Sequence, residues 1–199
     1  MGLHSFKSRI AAGFVVCCFL CLPQIAQSQE ISFVLDPEKT TVEFTLPATL
    51  HTVHGTFKVK SGSVHFDRVS GAGSSSFVVD ATSGNTGNDG RDHKMHEEIL
   101  ESRKYPEVEF VPQKLVGTLA QGDSTVQVQG LFRLHGTEHE ATLSIPLHIS
   151  GNEVTAKFQF TVPYIAWGLK NPSTFVLRVA KEVELEVTAG GKLITAQAP

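Results

Sequence analysis

Regular alternation of apolar and polar residues is the feature that most limits how this chain can fold. From residue 141 to residue 149, every odd position is apolar and every even position is Thr, Ser, Pro or His. Successive side chains of a β-strand point to opposite faces, so one face of such a segment is buried and the other is wetted. The pattern predicts half-buried β-strands rather than amphipathic helices.

The same alternation resumes at Val154 and continues to Val162, after a Gly151-Asn152 pair. Such a pair supplies the positive φ angles that a tight hairpin turn requires. Residues 141–149 and 154–162 are therefore predicted to form a β-hairpin.

Alternating segments recur along most of the chain after residue 30. Further strands are predicted at residues 31–35, 41–46, 55–59, 63–67, 76–81, 107–115, 126–134 and 175–187. One segment breaks the rhythm, because Arg91–Ser102 is predicted to be a short helix in a loop, stopped by Tyr105-Pro106. The fold class is therefore all-β, an antiparallel barrel of about eight strands or a sandwich. Closure into a barrel is favoured because it removes exposed strand edges.

The first 28 residues have a different character. Lys7 and Arg9 precede a 13-residue apolar run that ends at Leu22, and Ala26-Gln27-Ser28 offers a cleavage site. These features are typical of a secretory signal peptide, and the run is shorter than the roughly 20 residues that span a bilayer. We expect cleavage after Ser28, which leaves residues 29–199 as one domain, periplasmic or secreted, with no integral membrane segment. An uncleaved anchor is the alternative.

All three cysteines, Cys17, Cys18 and Cys21, lie in this leader. A lipid-modified cysteine is disfavoured because the small residue that usually precedes it is missing. The mature chain is thus expected to carry no disulfide, thiolate metal ligand or thiol nucleophile. Loss of Lys7 and Arg9 changes the formal charge from −3 to −5, which disfavours nucleic acid as a partner.

Short motifs follow one another along the chain in a characteristic order. They are Leu35-Asp36-Pro37, Val53-His54-Gly55-Thr56-Phe57, Arg91-Asp92, Met95-His96, Lys104-Tyr105-Pro106, Val108-Glu109-Phe110, Leu134-His135-Gly136-Thr137 and Ala141-Thr142-Leu143. In this order they resemble the YceI-like family of exported polyisoprenoid-binding proteins, over about residues 30–188. The resemblance implies a lipocalin-like β-barrel that holds a long-chain amphiphile.

Two stretches depart from the family pattern. Family members often carry Arg-Ser-Asp-aromatic-Gly where this chain has Tyr164-Ile165-Ala166-Trp167-Gly168. Tyr164 and Ala166 thus stand at the charged positions, and the stretch from Arg91 to Tyr105 is one residue shorter than the commonest form. If the charged pair shapes the barrel mouth or meets a head group, the ligand of this chain differs.

The predicted site combines aromatic rings on the apolar strand faces with polar groups at the mouth. The ligand-binding candidates are Phe57, Phe110, Phe132, Phe158, Phe160, Trp167, Arg91 and His96. A guanidinium can bind a phosphate through two hydrogen bonds, and a histidine can donate another. The alternatives are that the rings only fill the core and that Arg91-Asp92 is a local ion pair or helix-start contact.

The leading hypothesis is a non-catalytic carrier of an isoprenoid-type or fatty amphiphile, with no cofactor, metal or catalytic residue. One alternative is a metal-dependent envelope enzyme that uses His93, His96 and Glu97, because residues i and i+3 of a helix share a side. The spacing differs from the HExxH arrangement, which places its histidines four residues apart. The other alternative is a packed, ligandless barrel that serves as an interaction module.

Overall fold

The computed structural model describes residues 30–195, so the predicted signal peptide lies outside the described residues. The strands within this range are β1 (Glu30–Leu35), β2 (Thr41–Leu46), β3 (Val53–Asp67), β4 (Gly73–Ser74), β5 (Phe77–Asn85), β6 (Glu107–Val116), β7 (Gly122–Leu134), β8 (Thr137–Ser150), β9 (Glu153–Val162) and β10 (Val183–Thr195). The helical segments are a 3-10 turn (Pro37–Lys39), α1 (Asp89–Lys94) and a π-helical turn (Met95–Ile99). None of the helices in this part of the chain is long and apolar enough to cross a membrane.

The strands close into an antiparallel barrel, as the alternation predicts. The sheet runs from β3 through β5, β6, β7, β8 and β9 to β10, and β10 returns to β1 and β2, which both also pair with β3. β1 and β2 pair with successive halves of β10 and together act as one strand broken by the 3-10 turn. With the two-residue β4 left aside, the wall therefore has eight strands.

The break between β1 and β2 follows from local chemistry. Pro37 fixes its own φ angle and lacks an N–H to donate to a ladder. The Asp36 carboxylate accepts a hydrogen bond from the Glu38 N–H at 3.1 Å, and the Thr40 hydroxyl donates to the Asp36 carbonyl at 2.8 Å. These bonds replace the ladder for one turn, after which pairing resumes at Thr41.

The predicted hairpin of β8 and β9 is present. Gly151 has φ +63°, and Ser150 pairs with Glu153 across the turn. The apolar positions of both strands face inward.

Several predicted boundaries are wrong, and three of them have a clear physical reason. Residues 55–59 and 63–67 form one continuous strand, because β3 pairs with β5 up to Gly62 and with β1 from Ser63 onward. The predicted helix 91–102 begins at Asp89, where the Asn88 side chain caps it, and its last turn ends at Ile99. The predicted strand 175–187 begins only at Val183, because that residue is the first to find a partner, Val162, on β9.

The registers place three long connections at one end of the barrel. These are residues 47–52, 86–106 and 163–182, which we call the mouth loops. The opposite end holds short turns at residues 68–72, 117–121 and 151–152, which we call the far end. The two ends therefore differ in how much irregular chain covers them.

Candidate ligand cavity and its mouth

A cavity of about 630 Å³ runs inside the barrel from the mouth loops to the far end. Its lining comes from the inward positions of all eight wall strands. It includes aliphatic residues Val64, Leu143, Ile145 and Val183 and the rings Phe44, Phe57, Phe66, Phe77, Phe110, Phe132, Phe158 and Phe160. An eight-stranded barrel can be filled by its own side chains or hold a small ligand. The size of this cavity shows that the interior is hollow.

The rings make room by lying close to the wall. Phe132 and Phe160 meet edge to face with their centroids 5.8 Å apart, and Phe158 stacks on Phe160 at 6.1 Å. On the other side of the barrel, a side chain at Gly55 would come within 2.4 Å of the Phe44 ring. A glycine there lets the ring approach the sheet backbone, which leaves the barrel axis open.

Five of the predicted rings therefore line the cavity: Phe57, Phe110, Phe132, Phe158 and Phe160. The alternation predicts this, because each of these residues is at a position of its strand whose side chain points into the barrel. Their contact with a ligand remains a prediction. Aliphatic lining residues of the same phase, such as Val64 and Leu143, could also have been found from the alternation.

Arg91 lines the cavity at its mouth, half-buried. Its Nε donates to the Thr86 hydroxyl at 2.7 Å and one terminal nitrogen donates to the Thr86 carbonyl at 2.9 Å. The Asp92 carboxylate accepts from the Thr86 N–H at 3.0 Å and from the Thr86 hydroxyl. Arg91 and Asp92 thus both bind Thr86, and within residues 30–195 the second terminal nitrogen of Arg91 has no hydrogen-bond partner.

His96 lies outside the cavity lining and ties the helical segment to β5. Its Nε2 is 2.9 Å from the Gly84 carbonyl oxygen and its Nδ1 is 3.1 Å from the Ser102 hydroxyl. Because a carbonyl only accepts, Nε2 carries the proton and the hydroxyl donates to Nδ1. A side chain at Gly84 would meet Met95 and Phe57 within 2.6 Å, so the glycine allows the helical segment to seat on the strand.

Trp167 also lies outside the lining, behind Phe132. Its ring stacks on His139 with centroids 4.3 Å apart and an interplanar angle of 2°, and it lies 5.4 Å from the Phe132 ring. The π-stack accounts for its orientation, since aromatic pairs at this separation are favourable. Trp167 therefore supports a lining residue and does not face the cavity.

Tyr164, at one of the positions that departs from the family pattern, lines the cavity and is buried. Its hydroxyl donates to the Ala180 carbonyl at 2.7 Å, and this bond joins the beginning of the mouth loop 163–182 to its end. Burial raises the pKa of this phenol. The other departing position, Ala166, is exposed.

The residues of the metal-enzyme alternative are not brought together. His93 is exposed, both nitrogens of His96 are engaged, and Glu97 pairs with Arg103 at 2.9 Å. Within residues 30–195, no group of three His, Cys, Asp or Glu side chains is placed to hold a metal ion. A metal at His96 would have to break two hydrogen bonds that attach the helical segment.

Five lining residues at the mouth come from irregular segments. Ala48 and His51 come from the first mouth loop, and Pro172, Leu177 and Val179 come from the last. Ala48, His51 and Pro172 follow neither a two-residue nor a helical period, whereas Leu177 and Val179 belong to the alternation that predicted a strand at residues 175–187. The pairing of Ala48 with Val179 and the hydrogen bonds between Thr49 and Arg178 bring the two loops together.

Comparison with known proteins supports the fold. The model of the YceI-like domain matches residues 33–190. No curated protein matches the chain.

Solved structures share the same architecture at low sequence identity. BcnA of Burkholderia cenocepacia is 18% identical, with a TM-score of 0.63, over 78% of this chain and 98% of its own. A polyisoprenoid-binding domain from Saccharophagus degradans, implicated in plant cell wall breakdown, is 17% identical, with a TM-score of 0.60, over 80% and 97%. The YceI protein of Campylobacter jejuni is 13% identical, with a TM-score of 0.51, over the full length of both chains.

Proposed function

Because the chain belongs to the YceI-like family, we propose that it is a non-catalytic carrier that binds a polyisoprenoid or similar long-chain amphiphile inside its barrel. The observation that carries this proposal is the hollow interior, about 630 Å³ of space lined by aliphatic and aromatic side chains. The related domain from Saccharophagus degradans, described as polyisoprenoid-binding, supports the same class of ligand. A packed barrel would leave no such space.

The cavity volume limits the length of chain that can be buried. At about 30 Å³ for each group the size of a water molecule, the cavity has room for about 20 methylene-sized groups. Each buried methylene contributes about 0.8 kcal/mol, so ten of them contribute roughly 8 kcal/mol before ordering costs are subtracted. A longer isoprenoid would leave its remaining carbons and its head group at the mouth.

The lining residues take different parts in this proposal. The rings of Phe57, Phe110, Phe132, Phe158 and Phe160 contact the chain. Arg91 meets the head group through its unpaired terminal nitrogen, which is held in place by the two bonds to Thr86. His96 and Trp167, which lie outside the cavity lining, contribute by positioning the helical segment and Phe132.

Export is part of the proposal. The basic start, apolar run and small residues of the leader support cleavage after Ser28 and a periplasmic or secreted barrel of residues 29–199. The N-terminal sequence of the protein recovered from its own host tests this point.

Native mass spectrometry of protein purified from its host tests the ligand. We expect a non-covalent adduct that is lost on delipidation, and a fluorescent long-chain fatty acid that then binds the emptied protein and is displaced by isoprenoid alcohols. Protein that carries no adduct and, once emptied, binds neither the fatty acid nor the alcohols would contradict the proposal.

A further inference from the structure

The mouth of the barrel carries exposed apolar side chains. Phe175 is 96% exposed, Val176 is 75% exposed and Leu50 is 72% exposed. Phe175 and Val176 form the tip of a tight turn, in which the Thr174 N–H donates to the Leu177 carbonyl at 2.8 Å. Turn tips are usually Gly, Asn, Asp or Ser, which solvate well, so an apolar pair at this position is unusual.

Leu50 belongs to the same surface because the two mouth loops are joined just beside it. The Thr49 N–H donates to the Arg178 carbonyl at 2.9 Å, and the Arg178 N–H donates to the Thr49 hydroxyl at 3.2 Å. We call Leu50, Phe175 and Val176 the apolar tip. Leu177, the next residue after the tip, lines the cavity, so the tip lies at the opening.

The charge around the apolar tip is opposite in sign to that of the whole chain. The chain has a formal charge of −3, whereas the two loops that carry the tip, residues 47–52 and 163–182, contain three cations and one acidic residue, Glu182. Lys170 contacts Glu101 at 3.4 Å. Arg178 and Lys181 are exposed, and neither has an ion-pair partner among residues 30–195. The other acidic groups of the mouth lie in residues 86–106, where Asp92 is bound by Thr86, Glu97 pairs with Arg103, and Asp89 and Glu98 are exposed.

We infer that the apolar tip docks on the surface of an anionic lipid bilayer and places the cavity mouth against it. The idea that the ligand is loaded at this surface rests on the proposed function. Apolar side chains flanked by basic residues enter the interface of a bilayer while the cations bind anionic head groups. A chain that passes through the mouth then moves between bilayer and cavity without crossing water. The adjoining cavity favours a lipid surface over a protein partner.

The first experiment measures flotation of the purified protein with vesicles of phosphatidylcholine, with or without phosphatidylglycerol. The wild type binds the anionic vesicles, and the double variant Phe175→Ser/Val176→Ser binds them at least about tenfold more weakly, because two apolar side chains lose their buried position. Val69→Ser is the matched control, since Val69 is an 88% exposed apolar residue in a turn at the far end. Its flotation stays at the wild-type level.

The electrostatic part is tested with Arg178→Gln/Lys181→Gln. This variant loses binding to the anionic vesicles several-fold, and added salt reduces the wild type to the same level. Wild-type protein that does not float, or a tip variant that floats as well as the wild type, overturns the docking surface. A loss of equal size in the Val69 control overturns it too.

A second measurement keeps the proposed function separate. The fluorescent long-chain fatty acid is titrated into each protein in the absence of vesicles, and the tip variant binds it as tightly as the wild type. Its transfer rate from anionic vesicles to the tip variant falls about tenfold, in line with the flotation. Wild-type protein that floats but fails to bind the fatty acid contradicts the carrier proposal, while the flotation result still decides the docking surface.

Discussion

The barrel wall and the mouth loops satisfy their backbone polar groups in different ways. In the wall, backbone hydrogen bonds join neighbouring antiparallel strands, and the side chains need only alternate between apolar inside the barrel and polar outside it. In the mouth, single side chains hold the chain in place, as Asp92 does for Thr86 and Tyr164 does for Ala180. The wall therefore depends on many similar contacts, and the mouth depends on a few different ones.

This difference has a consequence for substitutions. A change to the wall matters according to the face on which it falls, because the ladder itself is made by the backbone. A change to the mouth affects its local order when it removes a particular hydrogen bond, whatever the hydrophobicity of the new residue. The mouth can consequently lose local order and ligand binding while the wall stays folded.

The largest effect is expected for Phe158→Asp, on the inward face of β9. An unpaired carboxylate among aromatic rings should cost about 3–5 kcal/mol of the free energy of unfolding and abolish chain binding. Thr155→Asp, on the outer face of the same strand and exposed, is the matched control and should keep both the stability and the binding. Melting temperature and fatty-acid titration measure the two effects, and a Phe158→Asp protein with wild-type values would show that the faces of β9 are reversed.

A medium effect is expected for Asp92→Ala in the mouth. The Thr86 N–H and hydroxyl lose their acceptor, which should cost about 1–3 kcal/mol, and Arg91 loses the support that Thr86 gives it. Asp89→Ala on the same helix is the control because its side chain is exposed. We expect hydrogen exchange to increase in residues 86–99 before it increases in β7 and β8; a uniform increase would contradict the local role of Asp92.

A smaller effect that depends on pH is expected for Tyr164→Phe. Loss of the bond to the Ala180 carbonyl should cost about 1 kcal/mol near neutral pH. Burial raises the pKa of Tyr164, so the folded state holds its proton more tightly than the unfolded state does. Stability from this group is complete below about pH 10, the ordinary pKa of tyrosine, and is lost as the pH rises through the folded value. Urea unfolding should show that the free energy of unfolding falls more steeply from neutral into alkaline pH in the wild type than in the variant. Equal slopes in the two proteins would contradict this role.

The smallest effect is expected on the outer wall, for Glu186→Gln. Hydrogen bonds from Lys157 and Gln159 lower the pKa of Glu186, but all three side chains face solvent. Exposed pairs of this kind contribute little to stability because water and salt screen them. The melting temperature and ligand affinity should stay at the wild-type values, and a clear loss of either would show that the outer face does more than solvate the barrel.

The same contrast explains what could be predicted from the sequence. The period of two found the β8–β9 hairpin and put the five phenylalanines on the inward face, because the period is a local property. It also predicted that the last strand begins at residue 175, where apolar residues alternate, but within residues 30–195 the ladder begins only at Val183. Alternation indicates that the two faces of a segment differ in polarity, but it does not indicate whether a neighbouring strand is there to pair with that segment.

The mouth was beyond sequence reasoning for a related reason. The roles of Thr86, Ser102 and Ala180 depend on residues brought from other segments, and nothing in their own neighbourhood marks them. The family resemblance points to Arg91 and His96 alike. Only the structure shows that Arg91, bound to Thr86, lines the cavity, whereas His96, bound to Gly84, positions the helical segment.

The central claim, that the hollow barrel holds an apolar chain, is tested most directly by titrating saturated fatty acids of increasing length into the emptied protein. Affinity should rise by up to about fourfold for each added methylene, which corresponds to about 0.8 kcal/mol. The rise should stop near about 20 carbons, where the cavity of about 630 Å³ is full. An affinity that does not change with chain length, or a rise that continues well past that limit, would show that the chain is not held inside the barrel.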